Sequence, residues 1–283
     1  MDITNALTVD VEDYFHVSAF AQNINRSNWH CYPSRVDYNT RRLLDLFDEF
    51  QVKATFFVLG WVAEREPLLV KDIDLRGHEV ACHGYSHQLV YQQTREVFYR
   101  ETLHAKSLIQ DIIQKPISGY RAASYSITKA SKWALDILAE LGFKYDSSIF
   151  PIRHDRYGIP DAKCIPHTFE TEYGKSIVEF PISTTKLFGF NLPVAGGGYF
   201  RLYPYIITKA GLMQVNKVNR PFIFYVHPWE IDPDQPRIKS SSISMFRHYN
   251  NLDKCESRLK LLMNDFKFTT AINVLSQQKL LVL

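Results

Sequence analysis

The chain has little cysteine and does not group what it has. Cys31, Cys82, Cys164 and Cys255 lie far apart with no CxxC pair, which disfavours both a structural zinc cluster and a disulfide scaffold. An excess of charge of one sign is also missing. The formal net charge is only +3 and there is no long basic run, so nucleic acid is not an expected partner. No apolar run reaches the length of a membrane span. The opening "MDITNALTVDVEDYF" lacks a basic n-region and an apolar h-region, so a signal peptide is not expected and a soluble, cytoplasmic protein is. No GxGxxG fingerprint, internal repeat or low-complexity tract occurs. What is present is apolar: 46% hydrophobic and 14% aromatic residues over 283 positions are enough for a large core.

That apolar content is organised. Seven short runs rich in β-branched and aromatic residues recur along the chain: 6–11, 53–59, 78–83, 117–122, 143–148, 177–183 and 221–228. Such runs suit parallel strands buried on both faces. Between them, 39–50, 94–113 and 129–142 carry helical periodicity; the first is expected to start at Asn39-Thr40 and the last to close on Gly142. Strands alternating with helices predict an α/β fold, and seven strands with outer helices predict a distorted (β/α)7-type barrel as one domain. The glycine-rich segment 184–215 is expected to be an irregular insertion, and the C-terminus a helical tail.

In a parallel barrel the C-terminal strand ends carry the chemistry. Here they carry Asp10, Glu12 and Asp13 after the first strand, His83 and His87 after the third, Arg121 after the fourth, Asp146 after the fifth and His227 after the seventh. His83 and His87 are spaced like neighbours on a helix face, but Gly84 between them marks a strand end or turn instead. Two histidines and a carboxylate form a common set for Zn²⁺ and other divalent cations.

These motifs resemble the NodB-homology polysaccharide deacetylases, carbohydrate esterase family 4, and within them the branch tied to bacterial exopolysaccharide clusters that opens with a DVEDYF-type motif. The resemblance rests on "TVDVEDYFHVSAF" (8–20), "ATFFVLG" (54–60), "GHEVACHGYSH" (77–87), "GYRAASYSI" (119–127), "YDSSIFP" (145–151), "FYVHPWEID" (224–232) and the tail at 246–268. It implies that Asp10 is the general base, held by Arg121, and that His227 is the general acid, oriented by Asp146. It implies one divalent metal, Zn²⁺ foremost, on His83, His87 and a carboxylate.

The family's usual adjacent aspartate is replaced by Val11, so that carboxylate is Glu12 or Asp13. Glu12 shares a face with Asp10 if the strand stays regular, whereas Asp13 can reach only if it has turned. The arginine motif lacks the family's prolines, but a backbone N–H near Ser124 is expected to serve the oxyanion. Tyr125 and Trp229, with Tyr14 and Tyr199, are candidates for sugar stacking.

The implied activity is removal of N-acetyl groups from amino sugars of a bacterial surface or secreted polysaccharide or its precursor. From the cytoplasm the substrate would be a lipid-linked precursor or a membrane-proximal chain. The alternatives are an allantoinase-like hydrolase of a small amide and a non-catalytic carbohydrate-binding protein. Retention of both Asp10 and His227 speaks against the binder, which needs neither.

Overall fold

In the computed structural model, residues 3–172 and 174–282 are described. The strands are β1 (Thr4–Val11), β2 (Thr55–Val58), β3 (Glu79–Cys82), β4 (Gly119–Tyr120), β5 (Tyr145–Asp146), β6 (His167–Glu170), β7 (Ser176–Glu179), β8 (Thr184–Leu187), β9 (Phe190–Pro193), β10 (Ile223–Val226) and β11 (Lys267–Thr269). The helices are α1 (Val36–Glu49), α2 (Gly60–Arg65), α3 (Pro67–Leu75), α4 (Arg95–Ile113), α5 (Trp133–Glu140), α6 (Gly197–Leu202), α7 (Tyr205–Lys217), α8 (Ser242–Tyr249), α9 (Leu252–Asp265) and α10 (Ala271–Gln277).

All seven expected strands form. They lie side by side in the order β10-β1-β2-β3-β4-β5-β7, every neighbouring pair parallel. β6 pairs antiparallel on the outer edge of β7, and β11 pairs with the start of β1. The fold is therefore α/β, a strongly curled parallel sheet with outer helices. Among the described residues no backbone ladder joins β7 to β10. The two meet where the Ile223 N–H donates to Ser183 Oγ at 2.9 Å.

Side-chain alternation sorts the strands into two packed layers. Leu7, Val9 and Val11, with Phe56, Val58, Val80, Phe224 and Val226, face the helices in the main core. Ala6, Phe57, Ala81, Ile223 and Tyr225 face inward, where Ala271, Val274 and Leu275 of α10 join them. Stepping by two along the inward set leads from Ala6 through Thr8 to Asp10, from Ala81 to His83, and from Ile223 through Tyr225 to His227. The pleat alone aims these three side chains into one mouth.

Two expectations need correction. α1 begins at Val36, three residues before Asn39-Thr40, which are buried inside the helix. Segment 184–215 is ordered as the β8–β9 hairpin followed by α6 and most of α7, with Thr208, Gly211 and Leu212 buried. Its glycines serve close approach rather than disorder. Gly196 adopts φ +123° against β10, where a Cβ would sit 2.0 Å from the Tyr225 carbonyl oxygen.

Candidate active site

Glu12, His83 and His87 are all buried, and their ligand-type atoms lie within 4.8 Å of one another. The Glu12 N–H folds back to the Asp10 carbonyl at 3.0 Å, so Glu12 keeps the inward side just as the strand ends. His83 follows β3, and Gly84 (φ +73°) turns the chain immediately after it. The loop is then pinned by the first amides of α2: Gly60 N–H donates to the Gly84 carbonyl at 2.8 Å and Trp61 N–H to the Tyr85 carbonyl at 3.0 Å. His87 sits in the left-handed region at φ +50°, a strained backbone for a non-glycine residue, and of the kind that clusters at functional sites. The histidine pair is thus set by a pinned turn, not by a helix face.

The donor set suits a divalent cation. His83 Nδ1 is 2.8 Å from the Arg121 carbonyl, which fixes Nδ1–H and leaves Nε2 free as a ligand. Burial pushes the His83 pKa down to about 4, keeping the neutral form that binds metals. Glu12 Oε2 lies 2.9 Å from His87 Nε2 yet accepts no hydrogen bond, an orphaned buried oxygen facing a ligand nitrogen. Burial alone would raise the Glu12 carboxyl, but His87, with His227 and His83 behind it, holds it well below the usual carboxylate range. One cation shared by these three residues would satisfy all of them.

Beside the triad stands a buried ion pair. Arg121 is 0% exposed and donates from Nη1 to Asp10 Oδ1 at 2.6 Å and to Thr8 Oγ1 at 2.7 Å. Its Nε and Nη2 donate to the Ser147 carbonyl and Oγ at 3.1 and 3.0 Å, and its guanidinium lies 4.1 Å from the Phe57 ring centroid. Asp10 thereby has one oxygen committed and Oδ2 facing the mouth, 3.9 Å from His227 Nε2.

His227, with a side chain 16% exposed, is the opening of the site. Its Nε2 faces Glu12 Oε1 at 3.2 Å, and its Nδ1 meets Glu230 Oε2 at 2.9 Å. Burial would lower its pKa, but Glu230, Glu12 and Asp10 outweigh it and raise the value to about 9. Glu230 itself is held down at about 2, because Arg201 and His227 overcome its burial.

Three expected placements change. Asp13 points away from the triad and accepts from the Arg35 and Val36 amides at 2.7 and 3.1 Å, from Ser34 Oγ at 2.9 Å and from the Tyr14 amide at 2.9 Å. It caps α1 across a loop, a task for which the outward side of the strand end suits it. Of the two candidate carboxylates, only Glu12 joins the cluster.

Asp146 does not meet His227. It accepts from the Ser148 amide and hydroxyl and faces Glu179 across the β5–β7 register. Burial raises both acids, and the neighbouring Asp146 carboxylate raises Glu179 further. Ser148 Oγ in turn accepts from the Ala122 N–H at 2.8 Å, so Asp146 braces the loop that follows Arg121. The carboxylate partner of His227 is Glu230, three residues on in the same short turn.

The proposed sugar platforms are buried as well. Tyr125 packs edge-on against Phe150, Tyr157 and Tyr225, and Tyr14 lies against Phe15. Trp229 is sandwiched between His227 and His248, with ring centroids 5.0 and 4.2 Å away. Tyr199 is partly buried beside Tyr203. Ser124 and Tyr125 are both left-handed, at φ +50° and +53°, and Ser124 Oγ donates to Ser18 Oγ at 3.0 Å across the mouth. Sequence reading passed over Glu230, Arg201 and Glu179. Glu230 alone had a local signal, an acid at i+3 from a strand-end histidine after a proline.

Comparison with known proteins agrees with this architecture. Residues 31–145 match the family model described as polysaccharide deacetylase, and 147–276 match a domain of unknown function, DUF3473. A peptidoglycan deacetylase of Helicobacter pylori is 34% identical over 108 residues, 38% of this chain and 36% of that protein. A chitooligosaccharide deacetylase of Bradyrhizobium sp. is 30% identical over 100 residues, 35% of this chain and 43% of that protein. The chain thus spans well under half the length of each of these two relatives. A Mycobacterium smegmatis structure, provisionally described as a polysaccharide deacetylase, superposes with TM-score 0.63 at 20% identity over 99% of this chain and 96% of its own. An allantoinase structure gives TM-score 0.63 at 13% identity, over 98% and 91% of the two chains. These two likenesses concern the fold alone. One curled sheet runs through both matched segments, and it is residues 31–145 that are similar to polysaccharide deacetylases.

Proposed function

We propose that the protein is a metal-dependent N-deacetylase that hydrolyses the acetamide of N-acetylated amino sugars in a bacterial surface or secreted polysaccharide or its precursor. One observation carries the reading. A carboxylate paired to a buried arginine and the His227 imidazole face each other at 3.9 Å beside the Glu12–His83–His87 triad. Amide hydrolysis needs such a pair, because a proton must leave water and another must reach a poor leaving group.

A divalent cation on Glu12, His83 and His87 would polarise the acetamide carbonyl and acidify water. Asp10 Oδ2 takes a proton from the attacking water while Arg121 holds the other oxygen. The water oxygen bonds to the carbonyl carbon, and we assign the Ser124 N–H as the donor to the resulting oxyanion. The C–N bond then breaks as His227 Nε2 gives its proton to the amine nitrogen. Acetate and a free amino sugar are the products. The His227 pKa of about 9 supports the acid role, since the imidazolium is the resting form at neutral pH.

Acetate release from N-acetylglucosamine oligomers by the metal-loaded protein tests the reading. Release should be abolished by His227→Ala, with elemental analysis still finding metal. Tight oligosaccharide binding with no acetate from any oligomer would leave a carbohydrate-binding protein. Turnover of small cyclic amides alone would make it a different amide hydrolase.

A further inference from the structure

The turn between α8 and α9 reaches His227 through a buried arginine. Arg201, on α6, is 1% exposed. Its Nη1 donates to the carbonyls of His248 and Asn250 at 2.7 and 2.8 Å, and Nη2 to that of Arg247 at 3.0 Å. These are orphan acceptors at the end of α8 and the turn into α9. The remaining nitrogen, Nε, points the other way, donating to Glu230 Oε1 at 2.6 Å. Glu230 Oε2 then accepts from both the amide and Nδ1 of His227, at 3.0 and 2.9 Å.

The connection is closed from the outside as well. The Arg201 carbonyl accepts from Asn251 Nδ2 and Arg258 Nη1, each at 2.8 Å, so α6 is tied to the turn and to α9 beyond it. Trp229 fills the space between the His227 and His248 rings.

We infer that Arg201 and Glu230 are positioning residues for the acid step. Through them the turn between α8 and α9 fixes the direction of His227 and keeps the hydrogen on Nδ1, so that the proton given up is the one on Nε2. The inference rests on the deacetylase reading for what His227 does, but the clamp itself is geometric. Glu230 has each oxygen committed to a separate partner, and with Arg201 beside it the carboxylate stays an acceptor. An acceptor at Nδ1 obliges that nitrogen to carry hydrogen and aims Nε2 into the mouth. A turn placed only for packing would need neither a buried arginine nor a buried glutamate. Arg201 also has more carbonyl partners than an ordinary helix end requires.

The test separates positioning from folding and from the reaction itself. In protein labelled with ¹⁵N-histidine and carrying its metal, His227 should show a slowly exchanging Nδ1–H correlation. Glu230→Gln and Arg201→Met should each lose or shift it, and Arg201→Lys should shift it less than Arg201→Met. On an N-acetylglucosamine tetramer, Glu230→Gln should reduce kcat about 100-fold with KM changed less than about threefold, the scale of a misplaced general acid. On 4-nitrophenyl acetate, whose leaving group needs no proton, the loss should be at least about tenfold smaller. Arg201→Met removes several buried donors at once, so the isosteric Glu230→Gln decides if that variant does not fold. Equal losses on both substrates, or an unchanged Nδ1–H signal in Glu230→Gln, would overturn the inference. Failure of the wild type to release acetate would sink the deacetylase reading instead, and the spectrum would still decide the clamp.

Discussion

Two arcs of the barrel mouth build their functional groups by different means. On the arc from β1 to β4, Asp10, His83 and Arg121 follow directly from strand ends, and Arg121 joins them through its side chain to Asp10 and its carbonyl to His83. On the arc around β10, His227 is also a strand-end residue, but its carboxylate comes from its own turn. That carboxylate is in turn held by α6 and the end of α8. The first arc joins residues 38 to 111 apart in the chain, and the parallel register of the curled sheet is what brings them together. The second depends on contacts spanning 29 to 49 residues. Groups that must bind a cation can be set by rigid backbone. A group that must gain and lose a proton needs a partner of opposite charge, and such a partner can come from wherever the chain folds back.

The contrast can be broken most forcefully at the triad. Glu12→Gln and His83→Ala should lose most bound metal by elemental analysis and lower turnover by about 1000-fold or more, because only three ligands converge there. Retention of full metal by either would dissolve the distinction between the arcs.

Arg121 comes next. Arg121→Met strands the buried Asp10 carboxylate and several polar groups around it, so urea unfolding should show about 3–5 kcal/mol lost.

On the second arc the measurement is a pH profile. Glu230, Glu12 and Asp10 all favour the imidazolium, so kcat/KM should fall on the alkaline side near the His227 pKa of about 9. Removing a favourable carboxylate lowers that pKa, so Glu230→Gln should move the alkaline limb to lower pH. Asp146→Asn should leave the limb in place, the reverse of what the family resemblance implies, because Asp146 faces Glu179 and Ser148. A limb shift in Asp146→Asn alone would return the charge partner to β5.

The smallest effect is at Asp13. Asp13→Asn should cost about 1–2 kcal/mol of stability through the α1 cap while leaving metal content at the wild-type level. Metal loss in Asp13→Asn would put both carboxylates on one side of the strand end.

These expectations also mark how far the sequence could be read. The strands were legible because each is buried on both faces and rich in β-branched and aromatic residues. Gly84 correctly ruled out a helix for the histidine pair. Segment 184–215 misled because its glycines look like an irregular insertion locally, whereas Gly196 is required by the approach of β10. Tyr125 and Trp229 misled in the opposite sense, since an aromatic beside a site motif looks the same whether it stacks on a sugar or on His248.

By itself the sequence determined the alternation of strand and helix, the inward parity of Asp10, His83 and His227, and the residue types able to hold a cation and move protons. These follow from pleat and composition, which are local. Only the tertiary structure decided that Glu12 rather than Asp13 joins the histidines, because the choice depends on where the strand ends and what α1 requires at its start. It also decided that His227 is partnered by Glu230 and not Asp146. That outcome rests on which buried carboxylate finds a counter-charge, and the counter-charge, Arg201, lies on a helix that no local pattern connects to the site.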